Sequence, residues 1–275
     1  MTKDVTKRAE LKVPEQRAQP EGAASRLKSE LMADALDSMF GKPAEEPTAP
    51  GNPRVILALA NHGSSPGWDY AKVLQREMFE AAVGSGLEMK FAFYGPDNEK
   101  GVRRARITKR WISDSDDMGN TMDRAECNCG CYVHIQDVLK QAVKENQDRP
   151  VRAVVIVGDA FHDDQDGLDE AAISANQLRR EGTKVFFVQQ GDNPATARKL
   201  KWLAQISGGA YFQFDPRTQE RQLAEMLETV SAFAAGGEEA VKMKGGKAAT
   251  LLLEHLKQEP MPIIEKRVEA VKAGT

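Results

Sequence analysis

Soft metal ligands are concentrated in one short stretch of this chain. Cys127, Cys129 and Cys131 follow one another at Cys-x-Cys-x-Cys spacing, and His134 stands three residues further on. Thiolate and imidazole suit Zn²⁺ or iron rather than Mg²⁺. The spacing is not the Cys-x₂-Cys knuckle of most structural zinc sites. On an extended segment alternate residues lie about 6.6 Å apart on one face, so three thiols meet at one ion only if the backbone curls. Asn128 and Gly130 permit that curl, and His134 reaches back if it lies in the first turn of a helix. Three readings stand side by side: a reduced loop in which His134 is an ordinary first-turn residue, a Zn²⁺ or other soft-metal site, and a redox-active thiol pair. A thiol beside a helix N-terminus has a lowered pKa, which favours reactivity. Three cysteines do not make an even disulfide framework, in keeping with a reducing compartment.

A second group surrounds residues 60–65, AlaAsnHisGlySerSer. Small residues at a strand-to-helix turn can hold an anion on backbone N–H groups. Ser64 or Ser65, with His62 and Asp159, has the composition of a hydrolase triad. However, a Ser and a His adjacent on one tight turn rarely aim at each other. There is no Gly-x-Ser-x-Gly elbow, no Walker loop, and no Gly-x-Gly-x-x-Gly after the first predicted strand. An enzyme is not expected. The acidic runs AspSerAspAspMet (114–118) and HisAspAsp (162–164) read as solvated loop charge that binds cations loosely at best.

These groups share a structural setting, since each is predicted to follow a β-strand. RVILALA (54–60), VRAVVIVGD (151–159) and TKVFFVQQG (183–191) are continuous apolar runs, the pattern of strands buried on both faces. EMKFAFYG (88–95) and ARITKRWIS (105–113) alternate like half-buried strands that pair as an antiparallel hairpin, and AYFQFD (210–215) is the last strand. Helices are predicted over 69–83, 133–146, 168–182, 195–209 and 218–235. The alternation implies an α/β fold: a doubly wound, mainly parallel six-stranded sheet with helices on both faces, plus flanking helices. Loops at the carboxyl ends of parallel strands gather on one edge, where ligands bind. His62, the cysteine loop and His162 are therefore expected to converge.

The flanks differ from this core, which is assigned to 54–235. Residues 1–22 are polar, with the composition of a disordered segment. Residues 23–41 form a helix with one apolar stripe (Leu27, Leu31, Met32, Ala35, Leu36, Met39, Phe40), which either docks in cis or presents a groove-binding face to a partner. Residues 42–53 are a proline-rich linker. The segment 236–275 is lysine-rich, with a helix over 247–257 and a last apolar turn at Ile263, Ile264, Val268 and Val271. Such helices are too short to be stable alone and need a surface to pack on. The 275 residues are 41% hydrophobic with a formal net charge of −3, which gives no global reason to expect nucleic acid or an anionic membrane as partner. No run is long enough to span a bilayer, and the N-terminus lacks a signal peptide's apolar region. A cytoplasmic protein is expected.

VVIVGD (154–159), EGTKVFFVQQG (181–191) and LKWLAQISGGAYFQFD (200–215), in that order, resemble the second half of the von Willebrand factor A domain. The order of elements over 54–235 resembles the rest of it, about two-thirds of the chain. The resemblance implies the same three-layer fold and a divalent-cation site built from Asp-x-Ser-x-Ser after the first strand, a Thr before the helix at 133–146, and Thr-Asp-Gly after the strand at 151–159. Here that site is degenerate. In one register Ala60, His62 and Ser64 fill the first motif; in the other Asn61, Gly63 and Ser65 do. No Thr occurs in CysGlyCysTyrVal (129–133), and Gly158-Asp159-Ala160 retains only Asp159. The candidate ligands are thus Asn61, His62, Ser64, Ser65 and Asp159 for residual Mg²⁺, and Cys127, Cys129, Cys131 and His134 for Zn²⁺. The resemblance further implies a protein–protein interaction module of bacterial type, with a protein partner such as an AAA+ ATPase or a stress-response assembly.

Overall fold

The computed structural model describes residues 52–60, 86–94, 106–114, 117, 120, 134–158, 165–214 and 220–260. All of them belong to one compact unit, Lys42–Thr275. The expectations for 1–22, for the helix at 23–41 and for the helix at 69–83 fall outside the described residues.

Strands β1 (Arg54–Ala60), β2 (Glu88–Tyr94), β3 (Arg106–Ile107), β4 (Ala153–Gly158), β5 (Lys184–Gln190) and β6 (Ala210–Phe214) lie in the order β3-β2-β1-β4-β5-β6. Five are parallel. The two-residue β3 adds an antiparallel edge through Ala92↔Ile107 and Phe93↔Arg106. The alternating run at 105–113 therefore pairs over two residues and one isolated bridge, Met89↔Ile112, rather than along its whole length.

The continuous apolar strands follow from a sheet covered on both sides. Val55, Leu57 and Leu59 face one core, together with Phe91, Val155 and Phe186; Ile56, Ala58 and Ala60 face the other, with Val154, Ile156 and Phe187. The second core is closed by α1 (Ile135–Asp148), α2 (Gln165–Arg180) and α3 (Pro194–Ser207). In α1 the buried residues Ile135, Val138, Leu139, Ala142 and Val143 recur at helical spacing, so a single stripe meets the sheet. The first core is closed by α4 (Glu220–Lys244) and α5 (Lys247–Leu256). α4 runs on past the expected stop at 235 through a kink at Gly236–Gly237, where Gly237 has φ 64°. Val241, Ala248, Ala249 and Leu252, all in the segment read as a tail, are core residues packed beneath the sheet. The helix at 247–256 thus finds its surface in cis.

The turn from α3 into β6 shows why two glycines stand there. Asn193 starts α3 by accepting from the N–H groups of Ala195 and Thr196, and Pro194 fills the first helical position. Gly208 ends it in the left-handed region, φ 62°. Gly209 has a different constraint: a Cβ there would lie 1.9 Å from the carbonyl oxygen of Val185. One glycine serves backbone angle and the other close approach of neighbouring strands.

Candidate functional site

The sheet order puts a topological switch between β1 and β4. From β1 the chain goes to β2 on one side; from β4 it goes to β5 on the other. Connections leaving in opposite directions open a crevice at the carboxyl ends of the two strands, the usual ligand position in such sheets. The register Leu59↔Val157 sets Ala60 beside Gly158, so both chains leave the sheet from small residues at the mouth of this crevice. Asn61, His62, Ser64 and Ser65 follow Ala60 in sequence, and Asp159 follows Gly158. Those five residues, together with Cys127, Cys129, Cys131 and His162, lie outside the described residues.

His134 is described, and the geometry of α1 determines its position. The carboxyl end of α1 is tied to the start of β1: Asp148 pairs with Arg54 at 3.4 Å, and Arg149 pairs with Glu88 at the start of β2. Fourteen helical residues rise about 21 Å, and β1 rises about 20 Å over its seven residues. α1 runs antiparallel to β1, so its amino end reaches the level of Ala60. His134 is the N-cap of α1 rather than a first-turn residue. Its backbone is extended, and its side chain makes no cap hydrogen bond. The ring is half-buried, with Nδ1 3.0 Å from Gln136 Nε2. One predicted ligand therefore stands at the same edge as the crevice. Among the described residues no three His, Cys, Asp or Glu side chains form a group able to hold a metal ion.

The opposite edge carries the ionic network that holds α1 in place. Arg54 Nε donates to Glu88 at 3.0 Å, and Lys90 Nζ to Glu145 at 2.6 Å. Both cations lie over the ring of Trp111, at 4.4 and 5.2 Å from its centroid. Lys90 is only 6% exposed. The reading of β2 as half-buried is thereby corrected: its polar face is covered by α1 and Trp111, and the lysine is buried with its partner. The clue in sequence was Trp111 opposite Lys90 on a run that alternates polar and apolar residues.

A second polar group, not anticipated from sequence, closes the β5–β6 side. Gln189 is fully buried; its Nε2 donates to the Asn193 carbonyl at 3.0 Å, and its Oε1 accepts from the Tyr211 hydroxyl at 2.8 Å. Burial raises the Tyr211 pKa above the ordinary 10.0. Two glutamines ending an otherwise apolar strand were the available signal. At the base of the sheet, Asn146 accepts from Val151 N–H (2.7 Å) and the Thr183 hydroxyl (3.1 Å) and donates to Glu181 (2.6 Å). It joins α1 to the starts of β4 and β5.

No protein-family model matches the chain, nor does any curated protein sequence. Solved structures do match. A conserved hypothetical protein BatB from Bacteroides thetaiotaomicron superposes with TM-score 0.51 at 13% identity, over 66% of this chain and 99% of that one. A von Willebrand factor type A protein from Catenulispora acidiphila gives 0.50 at 15% identity, over 68% of this chain and 43% of the other. The PilB minor pilin from Streptococcus sanguinis gives 0.51 at 10%, over 69% and 63%. The chain thus spans less than two-thirds of the latter two. At these identities the likeness is one of fold, and that fold is von Willebrand factor A-like. No described helix is long and apolar enough to cross a membrane.

Proposed function

We propose that this chain is a non-enzymatic adaptor, a von Willebrand factor A-like module that binds a protein partner at the carboxyl edge of its sheet through a degenerate cation site. The observation that carries the reading is the β1–β4 crevice, with α1 delivering His134 to its level. The sequence there offers Mg²⁺ a poor donor set: one carboxylate, Asp159, with an amide, two hydroxyls and an imidazole. Mg²⁺ favours near-octahedral oxygen ligation with carboxylate charge. These residues do not fit that ion, and no step of the function is drawn through it. Recognition then rests on hydrogen bonding and shape at the crevice, not on an ion bridging to the partner's carboxylate. The partner class suggested by the family resemblance is an AAA+ ATPase or a stress-response assembly in a bacterial cytoplasm.

The position of His134 favours one second reading. A half-buried imidazole at the amino end of α1, three residues after Cys131, is the donor type that a Zn²⁺ or redox site with Cys127, Cys129 and Cys131 would use. Elemental analysis of protein purified without a histidine tag separates the two. The adaptor is expected to carry no stoichiometric metal, and its partner association is expected to survive EDTA. About one Zn²⁺ per chain, lost in Cys127→Ser or Cys131→Ser, would overturn it in favour of the soft-metal site.

A further inference from the structure

We infer that Gln136 is a specificity-determining residue: its side-chain amide holds the His134 imidazole as the tautomer protonated at Nε2 and so closes that ring to soft metal ions. The inference deepens the adaptor reading, on which it rests for its place beside the β1–β4 crevice. His134 is the N-cap of α1, with extended backbone (φ −108°, ψ 97°) and no cap hydrogen bond from its side chain. Its Nδ1 lies instead 3.0 Å from Nε2 of Gln136, two residues on. An amide nitrogen brings hydrogens and no usable lone pair, so in this pair the ring nitrogen accepts. A neutral imidazole whose Nδ1 accepts carries its one proton on Nε2.

The surroundings favour that setting of the amide over its reverse. Gln136 is half-buried in the first turn of α1, and its Oε1 is enclosed with no hydrogen-bond partner among the described residues. Exchanging the two atoms would put an NH₂ group there, burying two unpaired donors in place of one unpaired oxygen. It would also set those donors at the amino end of a helix. Unsatisfied backbone N–H groups make the potential positive there, and an oxygen is the better neighbour. The pairing of amide N–H with Nδ1 therefore costs less, and the ring proton stays on Nε2.

Metal chemistry needs the other tautomer. Zn²⁺ and related ions bind imidazole through a deprotonated ring nitrogen. A histidine ligand accordingly gives its second N–H to a carboxylate, a carbonyl or water, which fixes the ring with its lone pair toward the metal. Gln136 presents a donor where such a ligand needs an acceptor. Nε2 of His134 is buried, a setting that suits a soft ion only if the atom has a lone pair to give, and here it carries hydrogen. Nδ1 has its lone pair engaged by the amide. Loading the ring with metal requires that the Gln136 contact break or that its amide reverse.

The test is nitrogen NMR of the full chain, isotope-labelled, freed of metal with EDTA and held at pH ~8, above the ordinary imidazole pKa of about 6.5. His134 is identified among the four histidines by the loss of its signals in His134→Asn. In the parent, Nε2 is expected at the shift of a protonated ring nitrogen and Nδ1 at that of an unprotonated one. Gln136→Glu replaces the donor by an acceptor and is expected to reverse the two; Gln136→Met, with neither, is expected to give a mixture. Titration with Zn²⁺ alone is expected to show binding about tenfold tighter or more in Gln136→Glu than in the parent, a gain lost when His134→Asn is added. An Nδ1–H ring in the metal-free parent overturns the inference, as does a parent-like ring in both variants. A gain in affinity that survives His134→Asn would be an effect of the added charge and overturns the specificity role. The adaptor reading fails separately: stoichiometric Zn²⁺ held by cysteines in a parent whose His134 keeps its Nε2 proton would sink that reading and leave the role of Gln136 standing.

Discussion

Glu145→Gln should destabilise the fold by about 3 kcal/mol, because it strands a buried lysine. Lys90 Nζ lies 2.6 Å from Glu145 Oε2, and their side chains are 8% and 18% exposed. Removing one partner of a buried ion pair costs about 3–5 kcal/mol, since the remaining charge keeps its desolvation penalty without its counter-charge. Two features pull the value to the low end: Glu145 touches solvent, and the Trp111 ring stays 5.2 Å from the ammonium. For a domain of this size that loss lowers the midpoint by about 6–12 °C. The double variant Lys90→Met, Glu145→Leu replaces both charges by apolar groups of similar length, and should lie within about 1 kcal/mol of the parent. Urea unfolding at neutral pH measures all three proteins, and an unchanged denaturant slope confirms that the native state is shifted in stability alone. A Glu145→Gln cost below about 1 kcal/mol, the range of exposed pairs, would refute the buried-pair reasoning. So would a double variant less stable than the single. The network fixes the carboxyl end of the helix whose amino end carries His134.

Two further outcomes follow from the polar contacts. Asn146→Ala leaves the buried Val151 N–H without its acceptor, while Thr183 keeps its 2.6 Å bond to the Val151 carbonyl; a loss of about 2–3 kcal/mol is expected in denaturant unfolding. At Tyr211 the folded-state pKa lies above the unfolded value of 10.0, so the unfolded chain ionises first and stability falls as pH rises above about 10. Tyr211→Phe should remove that part of the alkaline loss, measured as thermal midpoint against pH. An identical alkaline slope in both proteins would contradict it.

The strands that carry the sheet were legible because a parallel strand covered on both faces has a plain signature. RVILALA over 54–60 coincides with β1, and the predicted strands at 151–159 and 183–191 overrun β4 and β5 only at their ends. Glycine stops at Gly182 and Gly208–Gly209 gave the helix ends to within about two residues. Burial imposed from a distance was not legible. Lys90 alternates with apolar neighbours as a solvent-facing residue would; Trp111 covers it from the neighbouring run, and the packing of α1, 45 or more positions later in sequence, completes its enclosure. Similarly, nothing local marks Asn146 as a junction, since its partners Val151 and Thr183 are brought to it by the start of two strands. The Gly236–Gly237 pair looked like the end of a domain. It is a kink inside a longer helical arm, because the apolar residues after it, Val241 and Leu252, complete the same core.

The crevice, as distinct from the residues expected to line it, follows from connectivity rather than contacts. Two facts suffice to locate it: β1 and β4 are neighbours, and their onward connections diverge. Ala60 and Gly158 end the two strands at that edge. The sequence retains at that place an Asp after β4 and an Asn–His–Gly–Ser–Ser run after β1. Under the proposed reading, a run with no carboxylate offers an ion little charge, while its amide, imidazole and hydroxyl groups still offer hydrogen bonds. A protein surface can use those groups directly, because partner recognition needs donors and acceptors at fixed positions and does not need them to share one cation. On the proposed reading, such a donor set suits a protein partner better than a divalent cation.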